Sequence, residues 1–296
     1  SARRLAWLVE HLGSLPGSGI VYCLTVANAE DTAAALAAAG HRVLPYTGRT
    51  DLPERVAAEQ ALLANEVKAL VATSALGMGF DKPDLGFVVH LGAPSSPVTY
   101  YQQVGRAGRA TEAADVLLLP GREDQEIWRY FATNAMPTRQ RAASVLDALA
   151  ASDVPLTVPA LEARVELRRG ALELLLKVLA VDGAVENRAG GWAATGADWI
   201  YDEERYSRIA AARVAEQQAM LEYENLGHAR CRMEFLTAAL DDPHSRPCGR
   251  CDTCTRPWYP TGVTAKAQVA AQSALERVGV VLEPRTQWPP GLDRFT

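Results

Sequence analysis

The run GIVYCLT, residues 19–25, is short, uncharged until its end and made of apolar, β-branched and aromatic residues. Such a run reads as a strand buried on both faces, because a half-exposed strand would alternate polar with apolar positions. The segments around it support a strand. Residues 30–39 (EDTAAALAAA) read as a helix closed by Gly40, and residues 41–46 as a second strand followed by turn residues 47–50. Residues 52–65 form another predicted helix, entered through Asp51 and Pro53. Residues 69–72, 87–91 (FVVHL) and 116–119 are further apolar runs. Strands of this kind alternating with helices predict an α/β lobe over residues 1–138, with a parallel sheet covered on both faces.

The pattern changes after residue 138. Residues 140–151, 158–165 and 168–181 read as three helices, and Val185–Arg188 with residues 192–195 as a hairpin turned by Ala189, Gly190 and Gly191. Three helices and a two-stranded wing outline a winged-helix (α+β) domain over 139–198. A plain helical spacer with a hairpin is the other reading. Residues 199–230 read as a long polar helix leading into a cysteine-rich stretch, so 199–262 is expected to be a small helical zinc module built on four cysteines. Residues 263–296 are expected to contain one helix, 264–278, and to begin a linker to further sequence.

The bulk properties bound the function. A chain of 296 residues, 48% hydrophobic and 22% charged, is long enough for two or three domains with ordinary cores. Its net charge of -5 gives no global nucleic-acid signature, so any such binding must come from local patches. No apolar run approaches the roughly 20 residues of a membrane span, and SARRLAWLVE at the start lacks a signal-peptide layout. The expectation is a cytoplasmic protein with no membrane partner.

Two motifs carry chemistry. Residues 73–84 (TSALGMGFDKPD) follow a buried strand directly, which places Gly77 and Gly79 at the carboxyl edge of the sheet, where such sheets bind ligands. There Thr73 and Ser74 offer hydroxyls and Asp81 an acceptor for a sugar hydroxyl. Residues 98–110 (VTYYQQVGRAGRA) follow an N-cap at Ser96 and a proline at Pro97. The spacing predicts one short helix with Gln102, Arg106 and Arg109 on a shared face. Gly105 and Gly108 each weaken a helix by about 1 kcal/mol, which implies that something approaches this surface closely. An arginine-bearing surface helix is the plain alternative.

Four of the five cysteines lie at 231, 248, 251 and 254. In a chain without secretory features this clustering favours a metal over disulfides. Four thiolates, three of them two residues apart on PCGRCDTC, suit tetrahedral Zn²⁺; the overlapping CxxCxxC also suits an iron–sulfur cluster. Cys23, inside the first strand, reads as a packed core thiol, and His228 as a surface residue near the metal site.

ATSALGMGFDKPD resembles motif V, and YYQQVGRAGRA motif VI, of superfamily-two helicases, most closely the RecQ family. VYCLT and LPYTGRT stand where motif IV and the segment after it occur, and CRMEFL with CGRCDTC resembles the family's zinc module. The resemblance implies the C-terminal part of an ATP-dependent DNA helicase, moving 3′ to 5′, with a second RecA-like lobe and structural zinc. It implies that Arg109 is the arginine finger on the γ-phosphate, with Arg106 and Gln102 coupling nucleotide state to lobe closure. Gly79 and Asp81 would meet the nucleotide, while Thr25, Thr73 and Ser74 would hold DNA phosphates. The implied partners are single-stranded DNA, duplex junctions and an N-terminal RecA-like lobe. The implied setting is the bacterial nucleoid, and the implied pathway DNA repair.

The sequence departs from the family in two places. No GxxxxGK[ST] phosphate loop and no acidic box for Mg²⁺ occur in these residues, so ATP and Mg²⁺ are expected only with the missing lobe, and this chain alone is expected to be inactive. The winged helix precedes the zinc module, whereas the family's usually follows it. If it binds DNA, Arg168, Arg169 and Lys177 on the third helix and Arg188 and Trp192 on the wing are the expected contacts. A lobe-bracing or protein-contact role stands beside that reading. The rivals for the whole chain are a zinc-stabilised DNA-binding or scaffold module without motor activity, and the lobe of an RNA helicase or translocase.

Overall fold

In the computed structural model, residues 2–77, 79–135, 137–227 and 230–275 are described. Helix α1 (Ala2–His11) leads into strand β1 (Gly19–Cys23), α2 (Val26–Ala38), β2 (Val43–Tyr46), α3 (Leu52–Leu63) and β3 (Ala69–Ala72). Strand β4 (Phe87–Leu91), α4 (Pro97–Val104), β5 (Asp115–Leu119) and α5 (Asp124–Ala135) complete the lobe. The five strands pair in parallel in the order β2-β3-β1-β4-β5. β1 sits at the centre, with Gly19 opposite both Ala69 and Phe87, and is buried along its whole length. That is the environment its uninterrupted apolar run requires.

Alternate residues of each strand serve opposite faces. Ile20 and Tyr22 join Leu70, Ala72 and Val88 in one core, with Ala58 and Leu62 of α3, Tyr100 of α4 and Trp128 of α5. Val21 and Cys23 join Val71, Phe87 and Val89 in the other, beneath α1 and α2. Cys23 is a packed thiol near Thr32, pushed up to about 12 by burial, against which the Thr32 hydroxyl works.

The next elements are α6 (Arg139–Ala150), α7 (Val158–Glu162), α8 (Arg169–Val181) and the antiparallel pair β6 (Val185–Arg188) and β7 (Gly191–Ala194). They enclose a core of their own, built on Leu149, Leu161, Leu172, Leu176 and Leu179. Gly191 sits at φ 142°, and a Cβ there would stand 2.3 Å from the Leu156 carbonyl oxygen, so only glycine lets the hairpin close against the chain before α7. Asp182, just beyond α8, accepts from Arg205 (2.8 Å), Tyr206 (3.0 Å) and Trp199 (3.2 Å). This ties the segment to the start of α9 (Glu203–Glu224).

Two features lie beyond the sequence reading. Met220 and Tyr223 of α9, with Phe235 and Leu236 of α10 (Arg232–Ala238), enter the same core as the sheet face carrying Tyr22. The cysteine module therefore has no separate core from the lobe. The helix expected over 264–278 is α11 (Ala265–Leu275), and Ala267 and Ala271 pack on Leu5 and Ala6 of α1. Trp7 Nε1 donates to the Pro260 carbonyl at 2.7 Å, and Glu10 accepts from Thr264. The part of the expected linker up to residue 275 is thus seated on the lobe; residues 276–296 lie outside the described residues. None of the described helices is long and apolar enough to cross a membrane.

Candidate nucleotide and metal sites

Helix α4 begins as its sequence predicts, with Ser96 Oγ accepting from the Thr99 N–H at 3.2 Å and Pro97 in the first turn. Its end corrects the prediction. The helix stops at Val104, Gly105 caps it, and Gly108 takes a left-handed φ of 73°. Arg106 and Arg109 therefore lie past the helix and do not share a face. Arg106 is buried and its Nη1 donates to the Phe80 carbonyl at 2.8 Å. Arg109 is half exposed; its Nε donates to the Gly105 carbonyl at 3.0 Å and its Nη1 pairs with Asp81 Oδ1 at 3.0 Å. Gln102 is exposed on α4.

The two motifs are thus joined twice, by Arg106 to the backbone and by Arg109 to a carboxylate of the same loop. An exposed pair such as Arg109–Asp81 contributes at most about 1 kcal/mol, so it holds the arginine without committing it. A Cβ built on Gly79 meets nothing within 4 Å; the protein's own packing does not demand glycine there. Two of the three predicted phosphate-holding hydroxyls have local partners. Thr25 Oγ1 accepts from the Asn28 N–H at 3.1 Å as the N-cap of α2. Thr73 is buried and accepts from the Ala75 N–H at 3.4 Å. Ser74 is exposed.

Behind these loops, at the carboxyl edge of β1 and β4, lies a cavity of about 410 Å³. Ser74, Gln103, Trp128, Phe131, Arg213 and Glu216 are among its walls. Sequence reading missed it because α9 supplies one wall from more than a hundred residues away. Gln103 accepts from His90 Nε2 at 2.7 Å. Burial pushes that imidazole down to about 4, against the Gln103 contact, so His90 is neutral at ordinary pH. Beside the cavity, buried Asp124 accepts from the Ala93 and Gly121 N–H groups, both at 2.8 Å, and faces Arg4 Nη1 at 3.5 Å. Asp124→Ala would leave the buried Ala93 N–H and the half-buried Gly121 N–H without their acceptor, while Arg4 keeps Glu123 and the Leu119 carbonyl. We expect a loss of about 2–4 kcal/mol of stability, measured by urea unfolding; a loss below about 1 kcal/mol would contradict this account.

The four Sγ atoms of Cys231, Cys248, Cys251 and Cys254 lie within 4.8 Å of one another. A tetrahedral ion with metal–sulfur bonds of about 2.3 Å needs sulfurs about 3.8 Å apart, and Cys231 and Cys251 stand at 3.7 Å. That is far from the roughly 2.05 Å of a disulfide. The Cys248 N–H donates to Cys231 Sγ at 3.2 Å, and Thr253 Oγ1 lies 3.1 Å from Cys251 Sγ. Burial opposes ionisation of Cys251, but the Thr253 hydroxyl and backbone N–H groups outweigh it and bring the thiol down to about 6. The donor set fits a thiolate-bound metal. Arg232 forks onto Asp252, with Nε–Oδ1 at 2.5 Å and Nη2–Oδ2 at 2.9 Å, and so clamps the loop to α10. His228 lies outside the described residues.

On the inserted segment, Arg168 and Lys177 are exposed. Arg169 pairs with Glu173 at 2.8 Å, and Arg188 with Glu186. Trp192 is half-buried, its backbone bridged to Leu156. Leu172, Leu175, Leu176 and Leu179 turn one side of α8 into core, and α8 touches α5 of the lobe.

Residues 3–111 match the model of the helicase conserved C-terminal domain. The ATP-dependent DNA helicase RecQ of Synechocystis is 29% identical over 258 residues, 84% of this chain and 50% of that protein. The RecQ-like DNA helicase blm-1 of Caenorhabditis elegans is 42% identical over 111 residues, 37% of this chain and 11% of that protein. The ATP-dependent DNA helicase Q1 of Rattus norvegicus is 39% identical over 104 residues, 35% and 17% of the two chains. The chain thus spans half or less of the length of these relatives. Among solved structures, the Escherichia coli DEAD-box protein SrmB bound to RraA is 25% identical over 45% of this chain and 79% of that one, with a TM-score of 0.39.

Proposed function

We propose, from a chain that belongs to the RecQ family of superfamily-two helicases and carries the helicase C-terminal domain, that it forms the trans-acting half of an ATP-dependent DNA motor. The observation that carries this reading is the joining of residues 73–84 to residues 105–110 through Arg109–Asp81 and Arg106–Phe80. ATP and Mg²⁺ would be held between this lobe and a lobe bearing a phosphate loop, and Arg109 would leave Asp81 for the γ-phosphate. The exchange favours the phosphate, because Asp81 offers only a solvent-screened carboxylate. Asp81, once released, is an acceptor for the nucleotide's sugar, and the open backbone at Gly79 leaves room for it. Arg106, already bonded to the neighbouring loop, would report the exchange to the sheet edge, with Gln102 exposed towards the incoming lobe.

Single-stranded DNA would cross the carboxyl edge. Of the three hydroxyls expected on its phosphates, Ser74 belongs to an exposed residue at the cavity wall, while Thr25 and Thr73 serve caps and turns. Zn²⁺ in the four cysteines would be structural, since four thiolates leave no open position for water. The test is DNA-stimulated ATP hydrolysis and unwinding by the intact protein beside this chain. Activity in the first and none in the second is expected; an intact protein that hydrolyses no ATP would refute the motor.

The inserted segment has the outline of a winged helix. Its bracing role has specific support: α8 rests on α5, and Asp182 gathers Arg205 and Tyr206 from the start of α9 and Trp199 just before it. With Arg169 and Arg188 already paired, Arg168→Ala with Arg169→Ala should change DNA affinity less than threefold and leave its salt dependence intact. A weaker binding with a flatter salt slope, measured by titration at several ionic strengths, would assign the segment to DNA instead.

A further inference from the structure

The cysteine module and the arginine loop, some 140 residues apart in sequence, are connected by a continuous line of buried rings. Arg232, clamped to Asp252 of the cysteine loop, also donates from Nη1 to the Tyr223 carbonyl at 3.0 Å. The Tyr223 ring lies 5.2 Å from Tyr100, Tyr100 lies 4.8 Å from His90, and His90 stacks on Tyr22 at 5.1 Å. Tyr22 is the last ring of the line; the Arg106 charge acts on its hydroxyl without a hydrogen bond between them, and Arg106 in turn holds the Phe80 carbonyl. Every ring on this line is at most 4% exposed, so no water layer interrupts it.

The polar atoms along the line sharpen the point. Tyr22 Oη, His90 Nδ1 and Arg106 Nε are all buried without a geometrically sound hydrogen-bond partner. Buried polar groups are ordinarily paired; here His90 keeps one bond, to Gln103, and Arg106 one, to Phe80, so the rest of their placement falls to packing. Arg106 has one firm bond, to Phe80. Its remaining restraint is the wall of rings behind it, and close-packed interiors pass displacements on instead of absorbing them.

We propose that Tyr223, through Tyr100 and His90, positions the Arg106 loop, so that the cysteine module is a brace for residues 105–110 and not only a stable appendage. Tyr223 is a positioning residue: its ring packs on Tyr100 and Phe235, and it reaches the arginine loop through Tyr100. The brace itself stands on packing; its consequence for ATP turnover rests on the nucleotide-sensing reading above. The coupling is reciprocal, so whatever orders the arginine loop also tightens the seat of α9.

Hydrogen exchange on the intact, metal-loaded protein tests the brace directly. The Ala110 N–H bonds to the Pro83 carbonyl at 2.8 Å and the Ala107 N–H to the Val104 carbonyl at 3.1 Å, and both report on the loop. In Tyr223→Leu these amides should exchange at least about tenfold faster, while the amides of β1 and β4 keep their protection. Tyr223→Phe, which keeps the ring, should stay within about twofold of the parent. Unchanged exchange in Tyr223→Leu overturns the brace. If that variant also loses protection in β1 and β4, Arg232→Gln, which cuts the bond to Tyr223 without opening a core cavity, takes its place. It must show the same selective acceleration or the proposal fails. The same variants separate the two readings: the nucleotide-sensing role requires kcat for ATP to fall more than KM rises. Faster exchange with unaltered kcat would keep the brace and remove Arg106 from nucleotide sensing.

Discussion

Arg109→Ala in the intact protein should lower DNA-stimulated ATP hydrolysis by about 10³-fold or more, with DNA affinity held within about twofold. An arginine finger stabilises charge that develops on the transferring phosphoryl group, and such a residue contributes about 10³–10⁵ in rate. The surroundings of Arg109 suit that proposed task by what they lack as much as by what they offer. It is half exposed, past the end of α4, and held only by a solvent-screened carboxylate and the Gly105 carbonyl. Removing it strands no buried group, so folding should be unaffected. Arg106→Ala is a different experiment, because that guanidinium is buried and bonded to the Phe80 carbonyl. It should cost stability as well as rate. The checking measurement is steady-state ATP turnover with and without single-stranded DNA, alongside DNA binding and thermal unfolding of both variants. Full turnover in Arg109→Ala would remove the residue from the reaction.

Removal of the metal should unfold the cysteine module. Metal analysis is expected to return about one zinc per chain, and Cys231→Ser should lose it. Thiolate-bound zinc in small modules contributes about 10–16 kcal/mol of apparent binding energy, which is folding energy for the elements it ties. Cys231 is the informative ligand: it is buried, stands at the N-terminus of α10 and accepts from the Cys248 N–H. Serine there offers a poorer ligand for the metal. Because Phe235 and Leu236 belong to the core that also holds Tyr22 and Tyr100, the loss should extend beyond the module and lower the unfolding midpoint of the lobe. Circular dichroism during chelation would show helix lost with zinc release. Iron with visible absorbance would contradict the zinc assignment, and unchanged helix content after chelation would contradict the structural role.

Much of this was legible in local patterns. The apolar runs at 19–25, 69–72 and 87–91 predict strands because a strand buried on both faces has no polar position to offer, and each is a parallel strand of one sheet. Ser96 with Pro97 predicts the start of α4, since capping depends on neighbours in the chain. The spacing of Cys248, Cys251 and Cys254 predicts a sulfur cluster, because two-residue steps on a turn bring thiolates together locally; Cys231 joins them from the start of α10. The same local logic misplaces the arginines. The (i, i+3) spacing of the arginines carries the helix through Arg109, whereas Gly105 and Gly108 end it first.

The sequence by itself therefore determined the strand set, the caps and the three-cysteine turn, all governed by interactions within a few residues. Only the tertiary structure decided which of two arginines three positions apart is buried and which is half exposed beside Asp81. It also decided that α9 and α10 share the core of the sheet, that α11 returns to α1, and that a cavity opens where α9 crosses the carboxyl edge. Each depends on which apolar faces meet across long stretches of chain. Periodicity identifies such faces, but burial against a particular partner, settled by packing of the whole chain, selects among them.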